Sequence, residues 1–409
     1  MTQSEMKKLA DLFVRMGGNV QDGDTVIISA NLTDAPFVRI VAQCAYGCGA
    51  REVVCHWTDQ ECSRMRLLHA DSGVFDEYPS WMTEFYACYD ARQSVYMFVD
   101  SDDPDLFAGA DADRLLRDTI SRGRALKNHR ANTMSNRVRW TIAGFPSDNW
   151  AAKVFPGIPV EEAVEKLWQA ILQASRATGE DPVADWRRHN EALAARLAYL
   201  NNKRFVSLRY KNALGTDLRI DLPDGHIWLG GAERDAAGRY FSANIPTEEI
   251  FTLPKRTGVN GRVVSSMPLS YNGNLIEGFE FTFKDGRVVG YKAEKNEEVL
   301  KGLLDSDEGA RFLGEVSLVP YDSPINRQGF IYYNTLFDEN ASCHLALGKA
   351  YPFNLSGSEN MTEEELLAAG VNDSLVHVDF MVGSADLSIT GVEADGTESP
   401  VFADGNFAF

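Results

Sequence analysis

Residues 24–29 read Asp-Thr-Val-Ile-Ile-Ser, a short apolar run behind a Gly-Asp turn signal. Its β-branched residues suit a buried strand. Outward from it, residues 36–47 read as a helix, and residues 52–56 (EVVCH) as a second apolar strand. Strand, helix and strand at this spacing predict a βαβ unit and hence a parallel sheet. Residues 94–99 (SVYMFV) and 140–145 (WTIAGF) add two strand candidates, and the intervening 111–129 reads as helix. The N-terminal domain is therefore expected to be α/β with a mostly parallel sheet. No GxGxxG or GxxxxGK[ST] follows any of these strands, so the glycine loop that cradles nucleotide phosphates is missing.

Further along, 159–178 repeats apolar residues at helical spacing, and 185–201 predicts a second helix. Strand texture then dominates. Residues 205–208, 218–222, 227–229, 263–267, 275–283, 287–292, 314–318, 329–333, 376–382 and 387–391 all read as strands, separated by turn residues such as Asn212, Gly215 and Asp224-Gly225. Helices interrupt only at 294–305 and 362–369, the latter opening on Thr362 with Glu365 three residues on, a capping box. The expected organisation is an α/β domain over residues 1–190, then a mixed α+β, strand-rich catalytic domain over 191–409.

A chain of 409 residues is long enough for two cores. Its 44% hydrophobic and 24% charged residues are those of a folded globular protein. The formal net charge of −19 would repel a phosphate backbone, so no nucleic-acid partner is expected. No run of about 18 apolar residues is present to span a bilayer, and the first twenty residues read as an amphipathic helix rather than a leader. No membrane partner is expected, and a cytoplasmic location is. Five of the six cysteines crowd between Cys44 and Cys88, with Cys343 alone downstream. Cys55 beside His56 keeps a metal reading open there, but reduced, partly buried thiols account for the set better.

The residues that carry chemistry lie in the second half. In a strand, residues i and i+2 share a face, so His377 and Asp379 in HVDFM can converge on one cation; a structural His–Asp hydrogen bond would use the same spacing. Glu249 lies in NIPTEEIFTLP, which Pro246 and Pro254 keep from regular structure and which could present a carboxylate into a cleft. Glu315 sits inside the apolar run GEVSLVP, and His344 among small and apolar residues in ASCHLALGKAYP. Carboxylates in such surroundings are costly unless paired or bound to a cation. Three carboxylates and two imidazoles are more ligands than one zinc needs, and suit a pair of divalent ions.

Together NIPTEE, GE, CHLALGKAYP and HVDFM with the following GS resemble the M29 (thermophilic-type) metalloaminopeptidase family. Glu249 to Glu315 is 66 residues, Glu315 to His344 is 29, His344 to Tyr351 is 7, and His377 to Asp379 is 2, intervals like the family's own. The likeness is strongest over residues 244–391. It implies that Glu249, Glu315, His344, His377 and Asp379 are metal ligands and that Tyr351 is the catalytic tyrosine. It also implies two bound divalent ions (zinc, cobalt or magnesium), a homodimer enclosing a cavity, and peptides shortened from the N-terminus.

In such a site, a hydroxide formed between two ions attacks the scissile carbonyl, Tyr351 stabilises the oxyanion, and Glu315 or Glu249 moves the proton. One competing reading is a catalytically silent metal- or peptide-binding protein, which would have no use for Tyr351. Another is a glycosidase using Glu249 and Glu315 as its carboxylate pair, which would leave the histidines idle.

Overall fold

The computed structural model describes residues 1–271 and 274–409. The chain divides into two compact units, Met1–Asn190 with Ala232–Pro246, and Glu191–Gly231 with Thr247–Phe409.

In the first unit, β1 (Thr25–Asn31), β2 (Glu52–Thr58), β3 (Val95–Asp100) and β4 (Trp140–Gly144) form a parallel sheet in the order β2-β1-β3-β4. Val26, Ile27 and Ile28 are wholly buried in β1, as a strand covered on both faces requires. The expected α/β domain with its parallel sheet is present. The later segment Asn244–Ile245 adds to the free edge of β4, also in parallel. A buried charge network fastens this return: Arg139, with no side-chain exposure, makes two 2.7 Å bonds to Asp24 and approaches Asp235 at 3.4 Å, while Arg239 bonds Asp235 at 2.6 Å. Removing one member would leave an uncompensated buried charge, which typically costs about 3–5 kcal/mol. The described cysteines are all free thiols, with Cys44 buried and Cys55, Cys62 and Cys88 exposed.

Two large antiparallel sheets dominate the second unit. An eight-stranded sheet runs in the order Arg287–Lys292, Glu280–Lys284, Val259–Val264, Asp217–Asp221, Ser207–Lys211, Ser388–Val392, Glu398–Ala403, Asn406–Phe407. A five-stranded sheet runs in the order His377–Met381, His344–Gly348, Leu313–Leu318, Ile250–Thr252, Leu229–Gly230. One hydrophobic core draws on both, including Leu208, Ile220 and Phe281 from the first and Val316, Leu345 and Phe380 from the second. The alternate residues of the five-stranded sheet face away from that core.

Several expected elements differ. Residues 329–333 are irregular rather than a strand, because Asp338 takes the backbone N–H of Tyr332 at 2.8 Å and of Asn334 at 3.1 Å, and Tyr333 adopts φ 55°. The single strand expected over 275–283 breaks at Gly278, whose φ of 58° turns the chain between Asn274–Ile276 and Glu280–Lys284. The helix expected over 111–129 is two, Ala112–Ala125 and Lys127–Met134. Strands at Ile250–Thr252, His344–Gly348 and Glu398–Ala403 were not expected.

Candidate metal centre

The site is built on the outward face of the five-stranded sheet, and strand register assembles it. Ser317 lies opposite His344, which lies opposite Met381; Glu315 lies opposite Ala346, which lies opposite Asp379; Gly348 lies opposite His377. Because side chains alternate, Glu315, His344, His377 and Asp379 all project from this face. Phe251 pairs with Ser317, so Glu249, two residues earlier, is carried to the same side. The expected carboxylate of the Pro246–Pro254 segment is thus delivered from just ahead of a short strand.

The distances fall into two groups joined by one residue. His344 Nε2 is 3.4 Å from Glu249 Oε2 and 3.4 Å from Glu315 Oε1. His377 Nε2 is 3.6 Å from Glu315 Oε2 and 3.5 Å from Asp379 Oδ1. Glu249, Glu315 and His344 offer donor atoms within 4.8 Å of one another, as do Glu315, His377 and Asp379. Glu315 turns one carboxylate oxygen toward each group while only 4% exposed.

Both imidazoles are oriented by backbone. His344 Nδ1 lies 3.1 Å from the Ser342 carbonyl and His377 Nδ1 lies 2.7 Å from the Lys349 carbonyl. A carbonyl only accepts, so each Nδ1 carries the hydrogen and donates it, which directs the Nε2 lone pair into the site, as metal-ligating histidines require.

The electrostatics fit cations. Burial first, then the neighbouring charges of Glu249 and Asp379, raises the Glu315 carboxyl to about 7, against the lowering hydrogen bond of His344. Burial alone would push both imidazoles down. The carboxylates of Glu249 and Glu315 hold His344 well above its ordinary value instead, and Asp379 with Glu315 lifts His377 to about 9. Asp379 is shielded from solvent, which alone would raise it, but His377 draws it below the usual carboxylate range. Its Oδ1 is buried without accepting a hydrogen bond. An orphaned carboxylate oxygen, two aimed imidazole nitrogens and a shared glutamate form a donor set that divalent ions fit.

Tyr351 stands just past the His344 strand. Its ring lies 4.9 Å from that of His377, stacks on Phe353 at 5.2 Å and meets Phe251 edge-on at 6.2 Å. Burial, then the charges of Glu315 and Asp379, pushes its hydroxyl far above the ordinary tyrosine value, so it stays protonated.

Sequence reasoning missed Glu339. It lies on the single turn Glu339–Ala341, and burial with the charges of Glu249 and Asp379 holds its carboxyl well above the ordinary value. A fourth acidic group thus borders the cluster, without a spacing signal to announce it. Asn354, close to Tyr351 in sequence, is buried, with its amide given to the carbonyls of Ile227 at 3.1 Å and Phe251 at 3.3 Å.

Residues 2–407 match the profile of a family described as thermophilic metalloprotease (M29). The chain is 46% identical over 407 residues to aminopeptidase 2 of Geobacillus stearothermophilus, covering 100% of this chain and 98% of that protein. It is 43% identical to aminopeptidase T of Thermus thermophilus, with 98% of each covered. The solved structure of wild-type AmpT from Thermus thermophilus superposes with a TM-score of 0.93 at 42% identity over 99% of both chains.

Proposed function

The chain belongs to the thermophilic metalloprotease (M29) family, and on that premise we propose how it works as a metal-dependent aminopeptidase. Glu249, Glu315 and His344 would hold one divalent ion, and Glu315, His377 and Asp379 a second. The observation that carries this reading is the division of Glu315, with Oε1 toward His344 and Oε2 toward His377. Mixed oxygen and nitrogen donors suit zinc or cobalt better than magnesium, which prefers oxygen. Divalent ions bound there supply Lewis acidity, polarising a carbonyl oxygen and acidifying water.

The chain's own groups do the rest. Tyr351, kept protonated by its surroundings, donates a hydrogen bond to the oxyanion that develops on the scissile carbonyl. A carboxylate of the cluster accepts the proton of the attacking water and returns it to the departing amine. Glu315 and Glu249, the candidates from sequence, would hold ions in this reading, whereas Glu339 holds none and is the better candidate; the pH–rate profile of Glu339→Gln tests it. The acidic cluster also attracts the free α-amine that distinguishes a peptide's first residue. The family likeness extends the reading to a cytoplasmic homodimer acting on peptides. Among the described residues, no helix is long and apolar enough to cross a membrane.

The test is hydrolysis of aminoacyl chromogenic amides by chelator-stripped protein titrated with zinc, cobalt or magnesium, beside Glu315→Gln. Activity returning at two ions per chain, and lost in the variant, supports the reading. Stoichiometric metal binding without turnover of any amide would replace it with a silent binding protein.

A further inference from the structure

A cavity of about 250 Å³ opens directly against the His377 and Asp379 side chains. Its walls come from three places in the second unit. Leu269, Tyr271 and Leu275 belong to the paired strands Leu269–Tyr271 and Asn274–Ile276; Ile331 belongs to the irregular segment before helix Thr335–Asp338; Val378 and Met381 belong to the His377 strand. We infer that this cavity receives the side chain of the substrate's first residue and selects for apolar ones, a conclusion that rests on the aminopeptidase reading above.

The size and the position decide which part of a substrate fits. At this volume the cavity is smaller than the roughly 300–1,000 Å³ of pockets that bury drug-sized ligands, and it suits one side chain. With the scissile carbonyl carbon at the cluster, the first residue's Cβ is two bonds away, whereas the second residue's Cβ is three bonds away, across the peptide nitrogen. A cavity walled by two of the proposed ligands is within reach of the nearer side chain.

The lining decides the chemistry. Asp338 also borders the cavity, which would invite an arginyl or lysyl side chain if its carboxylate were free. Both of its oxygens are instead engaged, Oδ1 with the Tyr332 N–H at 2.8 Å and Oδ2 with the Asn334 N–H at 3.1 Å. Beside the uncharged Ser270, Asn334 and Thr335, what remains toward the cavity is the apolar wall of Leu269, Leu275, Ile331 and Met381, and burying apolar surface there favours leucyl, methionyl or phenylalanyl substrates.

The experiment compares kcat/KM for leucyl, phenylalanyl, alanyl and arginyl amides in the metal-loaded wild-type enzyme, Leu275→Trp and Tyr271→Ala, with circular dichroism and metal content confirming folded protein. A filled cavity should lower the leucyl-to-alanyl ratio by about tenfold or more, as steric changes in apolar specificity pockets do. The enlarged cavity should raise the phenylalanyl-to-leucyl ratio. Turnover with ratios unchanged in both variants overturns this assignment alone. So do a wild-type preference for arginyl amides that Asp338→Asn removes, or variants whose selectivity shifts only with the second residue of dipeptides. No wild-type turnover of any amide overturns the aminopeptidase reading, and this assignment with it.

Discussion

Asn340 holds in place the segment that delivers Glu249: its Oδ1 accepts the backbone N–H of Glu248 at 2.8 Å, while its Nδ2 donates to the Leu336 carbonyl at 2.9 Å. Asn340 is fully buried, touches none of the proposed ligand atoms by these bonds, and follows Glu339 directly. It therefore positions two acidic groups at once. Asn340→Ala should leave the fold intact and weaken metal binding by about 10- to 100-fold, the usual effect of losing a support behind a ligand. Calorimetric metal titration checks this, and unchanged affinity would make Asn340 merely structural.

Emptying either half of the cluster should be separable. Glu249→Gln and Asp379→Asn each remove a donor from one group only, whereas Glu315→Gln affects both. The single-group variants should retain one tightly bound ion per chain by elemental analysis after dialysis. Glu315→Gln should retain less than either. Equal losses in all three would contradict a shared glutamate.

Tyr351→Phe removes a donor and no ligand. It should lower kcat by about 10²- to 10³-fold, the range for loss of one oxyanion donor, with KM and metal content little changed. Steady-state kinetics of the metal-loaded variant decide this, and a loss confined to KM would assign Tyr351 to ground-state binding.

Gly314 supplies a steric prediction. Between Leu313, opposite Leu347, and Glu315, opposite Ala346, the ladder carries an extra residue, a bulge at Gly314. A Cβ there would lie 2.4 Å from the carbonyl oxygens of Gly348 and Lys349, and the latter is the acceptor for His377. Gly314→Ala should therefore lower the melting temperature and weaken metal binding together. Thermal unfolding with and without zinc measures both, and a variant with wild-type zinc affinity would show that the carbonyl can move without moving His377.

In the first unit, burial raises Asp34 from 3.8 to about 6, against the opposing hydrogen bond from Ser101. The folded state thus holds a proton that the unfolded chain releases. The stabilisation is complete below about pH 4 and is lost as pH rises through about 6, up to on the order of 3 kcal/mol. Asp34→Asn has no proton to lose, so its stability relative to wild type should increase between pH 4 and pH 7. Denaturant unfolding at both pH values tests the sign, and a constant difference would refute it.

Periodicity carried the βαβ start of the chain, because Thr25–Ser29 and Glu52–His56 are apolar runs flanked by turn residues. The His377–Asp379 pair was legible because a strand's period of two needs no tertiary knowledge. Other parts depended on long-range contacts. Phe330, Ile331, Tyr332 and Tyr333 have strand composition, yet the carboxylate of Asp338, four to six residues on, takes the amides of Tyr332 and Asn334 out of any ladder. Strict alternation would put Leu313 on the face of Glu315, whereas the bulge leaves Leu313 in the core. Glu339 follows a four-residue helix, too short to show periodicity, and only the folding of the turn brings it among the other acids.

The bonds from His344 and His377 to the carbonyls of Ser342 and Lys349 have a genetic consequence. Every amino acid carries that carbonyl, so a side-chain scan at position 349 would score a tolerant, exposed lysine while the oxygen that aims an imidazole goes unsampled. The orientation of both histidines is encoded in chain path rather than residue identity. It can be inherited through sequence drift at those two positions, and is exposed to selection mainly through insertions, deletions and the glycines that let the strands approach.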